Sequence, residues 1–181
     1  KVVVPFIDIV HDRAMSEIFR GCIRGCRFCQ AGFIYRPVRE KSVDTIDRQS
    51  RALCESTGYE EFSLSSLTTS DYTGLSELLP RLLDWAEPEH TNISLPSLRV
   101  YGFSEELAAR LNVLRRSGLT FAPEAGTQRL RDAINKNLSE EEILDTARKA
   151  FAGGWTTVKL YFMMGLPTET LEDVAGIAAL G

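Results

Sequence analysis

The chain has 181 residues, 44% of them hydrophobic and 25% charged, a composition that fits one globular domain with a sizeable core. No apolar run approaches the roughly 20 residues that span a bilayer, and no signal peptide opens the chain, so we expect no membrane contact and a cytoplasmic location. The net charge of -4 gives no general attraction to nucleic acid. Four cysteines without secretory features favour metal or redox chemistry over a disulfide framework.

A strand pattern recurs five times along the chain after a lead-in or linker segment at residues 1–16. The predicted strands are 17–21, 61–67, 92–102, 119–126 and 156–167. They show little polar alternation, as expected for strands that are covered on both faces.

Helix start and stop signals separate the predicted strands. Ser42 opens a helix that ends at Gly58, and a Ser–Glu capping box opens a later helix at Ser139. Pro80 is expected to kink or divide the leucine-rich helix at 75–86. The remaining predicted helices begin at Ser104, Thr127 and Thr168.

Strands that alternate with helices predict an α/β fold with a parallel sheet and right-handed crossovers. An open doubly wound sheet and a partial barrel both fit this order. In either architecture, the functional residues are expected at the carboxyl ends of the strands.

Three cysteines follow the first predicted strand in the spacing C-x3-C-x2-C: Cys22, Cys26 and Cys29. Thiolates suit zinc, copper(I) or iron–sulfur clusters, but a closed zinc site needs a fourth ligand and no histidine follows the loop at useful spacing. Cys54 lies on the apolar side of a predicted helix, so we expect it to be a core residue. Three thiolates on a cubane cluster would leave one iron open for a substrate or cofactor.

The cysteine spacing, with Phe28 just before the last cysteine, resembles the signature of the radical S-adenosylmethionine (radical SAM) superfamily. The strings "RGCIRGCRFCQAGFIYRPVRE", "SLSSLTTSDY", "LPSLRV", "APEAGTQRLRDAINKN" and "MMGLPTET" are similar to a branch whose members often have a cobalamin-binding domain. The resemblance covers essentially the whole chain after about residue 16.

The resemblance implies a partial (β/α)6 barrel, with residues 17–181 forming a core that we expect to be truncated after about five strand–helix units. It also implies a 4Fe-4S cluster that binds S-adenosylmethionine (SAM) and cleaves it reductively to a 5′-deoxyadenosyl radical. That radical would serve hydrogen abstraction, or methyl or sulfur transfer, on an unknown substrate. The implied partners are an external electron donor and a cobalamin-binding domain outside this chain.

The resemblance assigns roles to individual residues of the first half. Phe28 would place its backbone carbonyl near the adenine amino group of SAM. Ser65 and Ser66 stand where the superfamily often has Gly-Gly-Glu, so they would contact the amino group of SAM through carbonyls or hydroxyls. The cluster ligands would be Cys22, Cys26 and Cys29.

In the second half, Glu124 matches an acid or amide that binds the ribose hydroxyls, which a carboxylate suits because it accepts hydrogen bonds. Lys136, and equally Arg99, would pair with the carboxylate of SAM. Met163 and Gly165 would line the adenine pocket. Weaker candidates for substrate contact are Lys159 and Tyr161.

Other interpretations of the sequence stay open. An iron–sulfur or zinc module for electron transfer or structure would use Cys54 or His11 as a fourth ligand, and its metal would not respond to SAM. A tRNA methylthiotransferase-like core is mildly favoured by the basic segment between Arg20 and Arg51. A non-catalytic, degenerate barrel conflicts with the intact cysteine triad.

Overall fold

The computed structural model describes residues 3–7, 9–96 and 119–181. Its strands are β1 (Ala14–Glu17), β2 (Phe19–Arg20), β3 (Arg39–Glu40), β4 (Glu61–Ser65), β5 (Asn92–Ser94), β6 (Leu119–Glu124) and β7 (Val158–Phe162). Its α-helices are α1 (Ala31–Ile34), α2 (Val43–Thr57), α3 (Leu75–Ala86), α4 (Gln128–Ala133), α5 (Glu140–Ala152) and α6 (Leu171–Leu180), and Thr69–Asp71 forms a 3-10 turn. Arg99, the helix predicted from Ser104 and the later part of the third predicted strand lie outside the described residues.

The main strands pair in parallel, which confirms the predicted α/β class. β1, β4 and β5 form one sheet in the order β1–β4–β5, with Phe62 opposite both Ala14 and Ile93. β6 and β7 form a second parallel pair, with Leu119 opposite Val158. Parallel strands run in the same direction, so the carboxyl ends of the paired strands lie on one edge of each sheet.

The first strand begins earlier than predicted. β1 ends at Glu17, and the N–H of Ile18 extends its pairing by donating to the carbonyl of Ser65 at 3.0 Å. The chain then leaves this sheet, and β2 pairs with β3 in a short antiparallel ribbon. The strand predicted at 17–21 is therefore divided between two sheets, and the ribbon draws together the two ends of the cysteine-containing segment.

Capping residues set most helix boundaries where the sequence predicts them. The side chain of Ser42 caps α2, Gly58 ends it with φ of 72°, and the capping box at Ser139 opens α5. The helix predicted from Thr168 begins later, at Leu171, because Thr168 has φ of 67° and cannot be part of a right-handed helix.

α3 is continuous through Pro80, so of the two predicted effects, a kink or a division of the helix, the division is wrong. The proline removes one backbone hydrogen-bond donor from the helix. Leu78 and Leu82 are completely buried in the core. This apolar burial stabilises the helix, as tertiary packing does for most helices in proteins.

The core lies between the strands and helices α2, α3 and α5. Representative members are Phe62, Leu64 and Phe121 from the strands and Ile46 and Ile143 from the helices. On β7, Val158 and Leu160 pack against this core. Their neighbours Lys159 and Tyr161 are exposed. The described residues include no helix with the length and apolarity needed to cross a bilayer.

Helix α6 packs tightly against the residues after β6. A Cβ at Gly126 would lie 2.5 Å from the carbonyl oxygen of Asp173, so only glycine permits this approach. The Asp173 side chain, 2% exposed, accepts hydrogen bonds from Thr127, Arg129 and Thr170. These bonds, first from Thr127 and then from Arg129, hold the pKa of the Asp173 carboxyl well below its usual range.

Candidate functional site

The cysteine loop, residues 21–30, follows β2. Gly21 opens it with φ of 98°, and a Cβ there would lie 2.5 Å from a backbone carbonyl oxygen, so glycine is required. The N–H of Cys29 donates to the carbonyl of Cys26 at 3.1 Å, which closes a turn. Cys22 and Cys26 are buried and Cys29 is partly exposed.

An ion pair joins the cysteine loop to the 3-10 turn after β4. The guanidinium of Arg24 donates from Nη2 to Oδ1 of Asp71 at 2.5 Å and from Nε to Oδ2 at 3.1 Å. The Asp71 side chain is 8% exposed, and Thr68 also donates to it. Such a two-pronged contact fixes the orientation of the arginine as well as its position. Neither Arg24 nor Asp71 is among the site residues predicted from the sequence. The signal that could have indicated Asp71 is its place as the acid in the string "TTSDY".

A second set of hydrogen bonds joins the loop to the end of α4. Arg27 donates its backbone N–H to the carbonyl of Ile134 at 2.9 Å and its Nη1 to the carbonyl of Ala133 at 2.8 Å. Asn135, with φ of 56°, donates from Nδ2 to the carbonyl of Gly25 at 2.7 Å. The loop that contains the cysteines is therefore held from two distant parts of the chain.

Three residues predicted from the sequence meet beside this loop. Nζ of Lys136 lies 3.2 Å from Oε1 of Glu124 and 5.9 Å from the centroid of the Phe28 ring. The side chains of Lys136 and Glu124 are only 11% and 16% exposed. Glu124 has φ of 71°, and its carbonyl accepts the N–H of Met163 at 2.8 Å. Four parts of the chain thus converge here: the cysteine loop, the end of β6, the residue after β7 and the segment after α4.

A fully buried arginine supports this pair of charges. Arg131 donates from Nη1 to the carbonyl of Ala125 and from Nε to that of Leu138, both at 3.0 Å. Its own carbonyl accepts the N–H of Lys136 at 2.9 Å. Burial lowers the pKa of the Arg131 guanidinium. Because Ala125 adjoins Glu124, Arg131 fixes the backbone next to both members of the pair.

Three other predicted residues, Ser65, Ser66 and Gly165, make contacts of their own. The carbonyl of Ser65 accepts the N–H of Ile18, and the hydroxyl of Ser66 lies 3.0 Å from that of Thr69. Gly165, with φ of 86°, donates its N–H to Glu169 at 2.5 Å. The assignment of Ser65, Ser66 and Gly165 to cofactor binding stays a prediction.

Cys54 belongs to the core, as predicted. It is 5% exposed among core residues. Burial first, and then the charges of Glu89 and Glu55, raise the pKa of the Cys54 thiol to about 11. A thiol with this pKa is protonated at neutral pH, whereas the thiolate is the form that binds metals.

The cysteine loop contains three thiol side chains, the ligand type of iron–sulfur clusters. Among the residues that the structure describes, no three His, Cys, Asp or Glu side chains converge so as to hold one metal ion. Three cysteines in one anchored loop, with the fourth cysteine buried in the core, fit a cluster that has one iron without a protein ligand.

Comparison with known families and sequences shows which proteins this chain is similar to. The family model described as the Radical SAM superfamily matches residues 16–181. An uncharacterized protein of Methanocaldococcus jannaschii is 37% identical over 160 residues, which are 88% of this chain and 34% of that protein. A putative methylthiotransferase of the same organism is 25% identical over 166 residues, 87% of this chain and 36% of that protein.

Solved structures share the fold at low sequence identity. The radical S-adenosylmethionine methyltransferase TsrM from Kitasatospora setae, solved with cobalamin and a [4Fe-4S] cluster, has a TM-score of 0.74 at 16% identity, covering 93% of this chain and 34% of that one. The cobalamin-dependent S-adenosylmethionine radical enzyme OxsB has a TM-score of 0.70 at 12% identity, covering 92% and 26%. The chain spans about a third of the length of the curated relatives it matches.

Proposed function

The chain belongs to the radical SAM superfamily, and on that basis we propose that it is an enzyme core that holds a 4Fe-4S cluster through Cys22, Cys26 and Cys29. The observation that supports this most directly is the contact of Lys136 with both Glu124 and Phe28 beside the cysteine loop. Charged side chains are rarely withdrawn from water without a structural or functional partner. A pair in this place suits a zwitterionic cofactor that must reach an iron.

The residues of the site place SAM, and the cluster supplies the chemistry. A cluster held by Cys22, Cys26 and Cys29 would supply the electron for the reductive cleavage of SAM. Lys136 offers its ammonium to the carboxylate of SAM, and Glu124 offers carboxylate oxygens to the ribose hydroxyls. Phe28 binds the adenine amino group through its backbone carbonyl. Met163 and Gly165 line the adenine pocket.

Two further contacts complete the proposed cofactor site. Ser65 and Ser66, at the end of β4, bind the amino group of SAM through a carbonyl or hydroxyl, since an acid is missing from this position. Arg99 is the alternative to Lys136 for pairing with the carboxylate of SAM, because guanidinium and ammonium groups both bind carboxylates.

The reaction proposed for the whole protein is hydrogen abstraction, or methyl or sulfur transfer, on a substrate that these residues do not identify. Cobalamin, held by a domain outside this chain, is suggested by the fold shared with the cobalamin enzymes TsrM and OxsB, and methyl transfer by TsrM, which is a methyltransferase. Sulfur transfer is favoured by the putative methylthiotransferase relative. Either reaction requires an external electron donor, which is therefore a proposed partner in the cytoplasm.

Anaerobic reconstitution tests the proposed core. We expect about four irons and four sulfides per chain, in line with the cubane cluster. Titration with SAM should change the electron paramagnetic resonance spectrum of the reduced cluster, and strong reductant should release 5′-deoxyadenosine. A cluster whose spectrum ignores SAM, or a single tightly held zinc, would show the structural or electron-transfer module instead.

A further inference from the structure

We propose that Asn135 is the positioning residue that links the cysteine loop to the Glu124–Lys136 pair. Its side chain binds the loop at Gly25, and the next residue along the chain presents the ammonium to Glu124. The significance for cofactor binding rests on the proposed function. The geometry of the link is a property of the chain itself.

The hydrogen bond from Asn135 depends on the backbone conformation of Asn135 and on the small size of Gly25. Asn135 has φ of 56°, a conformation that asparagine tolerates better than most residues. A Cβ at Gly25 would lie 3.0 Å from Nδ2 of Asn135, so the small size of glycine permits the contact. Gly25 directly precedes Cys26, whose side chain is 6% exposed. The donor therefore acts on the backbone next to a proposed cluster ligand.

The segment around Asn135 is anchored firmly enough to transmit this constraint. Ile134 is 4% exposed and packs with Ala125 and Leu130 in a small cluster next to Glu124. The N–H of Asn135 donates to the carbonyl of Asp132 at 3.0 Å. The cysteine loop therefore binds to a segment whose other contacts define the Glu124–Lys136 pair.

Three hydrogen bonds join this segment to the loop, and each uses a different donor group. The two bonds from Arg27 end on backbone carbonyls of the segment, whereas Asn135 provides the bond made by a side chain of the segment. A substitution at position 135 can therefore remove one contact and leave the others in place. Loss of such a bond should raise the population of the opened loop by about tenfold.

The variant Asn135→Gly tests the link, because glycine adopts positive φ freely and lacks the side-chain amide that donates to Gly25. The matched control is Asn137→Gly, since Asn137 also has positive φ, 43°, and is exposed. The metal-free protein is treated with iodoacetamide under reducing conditions, and alkylation of each cysteine is followed by mass spectrometry. Cys54 reports on the core within the same molecule.

In Asn135→Gly we expect Cys22 and Cys26 to be alkylated about tenfold faster than in the wild type, with Cys54 still protected. Asn137→Gly should match the wild type at every cysteine. Equal rates at Cys22 and Cys26 in all three proteins would overturn the proposal. So would a parallel acceleration at Cys54, because it would mean that Asn135 supports the whole fold and not the placement of the loop.

Iron release extends the test to the loaded protein. After reconstitution, a chelator should remove iron about tenfold faster from Asn135→Gly than from the wild type and Asn137→Gly, by the same shift in loop opening. Unchanged release would contradict the link to the cluster. If the wild-type cluster ignores SAM, the proposed function fails while the alkylation comparison keeps its meaning.

Discussion

Lys136 and Glu124 form an ion pair, with Nζ and Oε1 3.2 Å apart and both side chains largely withdrawn from water. Desolvation of two charges offsets most of their attraction, so such a pair adds little net stability compared with apolar residues. The pair lies beside Phe28 at the cysteine loop, where a charged ligand would compete for both partners. Stability alone therefore does not account for its position.

Removing one member of this pair should cost more than removing both. Lys136→Met leaves the Glu124 carboxylate without its partner, and we expect it to lower the free energy of unfolding by about 1–3 kcal/mol. The double variant Lys136→Met with Glu124→Gln should recover most of that loss. Urea unfolding of the wild type, both single variants and the double variant gives the coupling energy. Strictly additive effects would show that the two side chains do not interact energetically.

The cysteines should divide cleanly into ligands and a core residue. Cys22→Ala, Cys26→Ala and Cys29→Ala should each fail to retain a 4Fe-4S cluster after reconstitution. Cys54→Ala should keep the wild-type iron content and lose about 1 kcal/mol of stability. Iron and sulfide analysis with thermal unfolding measures both effects. Loss of iron in Cys54→Ala with normal stability would mean that Cys54 is a ligand.

The two-pronged geometry of the Arg24–Asp71 ion pair, as well as its charge, should contribute to holding the cysteine loop in place. Arg24→Lys keeps the charge but cannot bind both carboxylate oxygens as a planar fork. We expect faster loss of iron to a chelator and a lower melting temperature. The matched control is Arg81→Lys, because Arg81 pairs with Asp44 and Glu77 on an exposed helix face, where ion pairs contribute little. Equal effects of the two substitutions would remove the special role of Arg24.

Acid should weaken the attachment of α6. The pKa of Asp173 is depressed in the folded protein by hydrogen bonds from Thr127 and Arg129. Its contribution to stability is therefore complete above the unfolded-state pKa of about 4 and declines as the pH falls below that value. Asp173→Asn should be less stable than the wild type at pH 7, and the difference should shrink toward pH 2–3 as the Asp173 carboxyl becomes protonated in the unfolded wild type while it stays ionised in the folded protein. Urea midpoints measured across this range would contradict the mechanism if the difference stayed constant.

Local signals in the sequence predicted most of the secondary structure. Ser42, Gly58 and Ser139 act on their own helix ends, within a few residues, and the structure confirms them. Predictions failed where tertiary contacts prevail over local preference. Pro80 stays within α3 because the leucines around it are buried, and β1 begins at Ala14 because its neighbour β4 sets the register.

The cysteine motif, the alternation of strands and helices and the helix caps are determined by the sequence alone, because each depends on residues that are close in the chain. Only the tertiary structure decided which side chains meet at the loop. Lys136 is 12 residues from Glu124, Arg24 is 47 from Asp71, and Asn135 is 110 from Gly25. Crossover connections bring such distant residues together, and no local pattern records which pairs will touch.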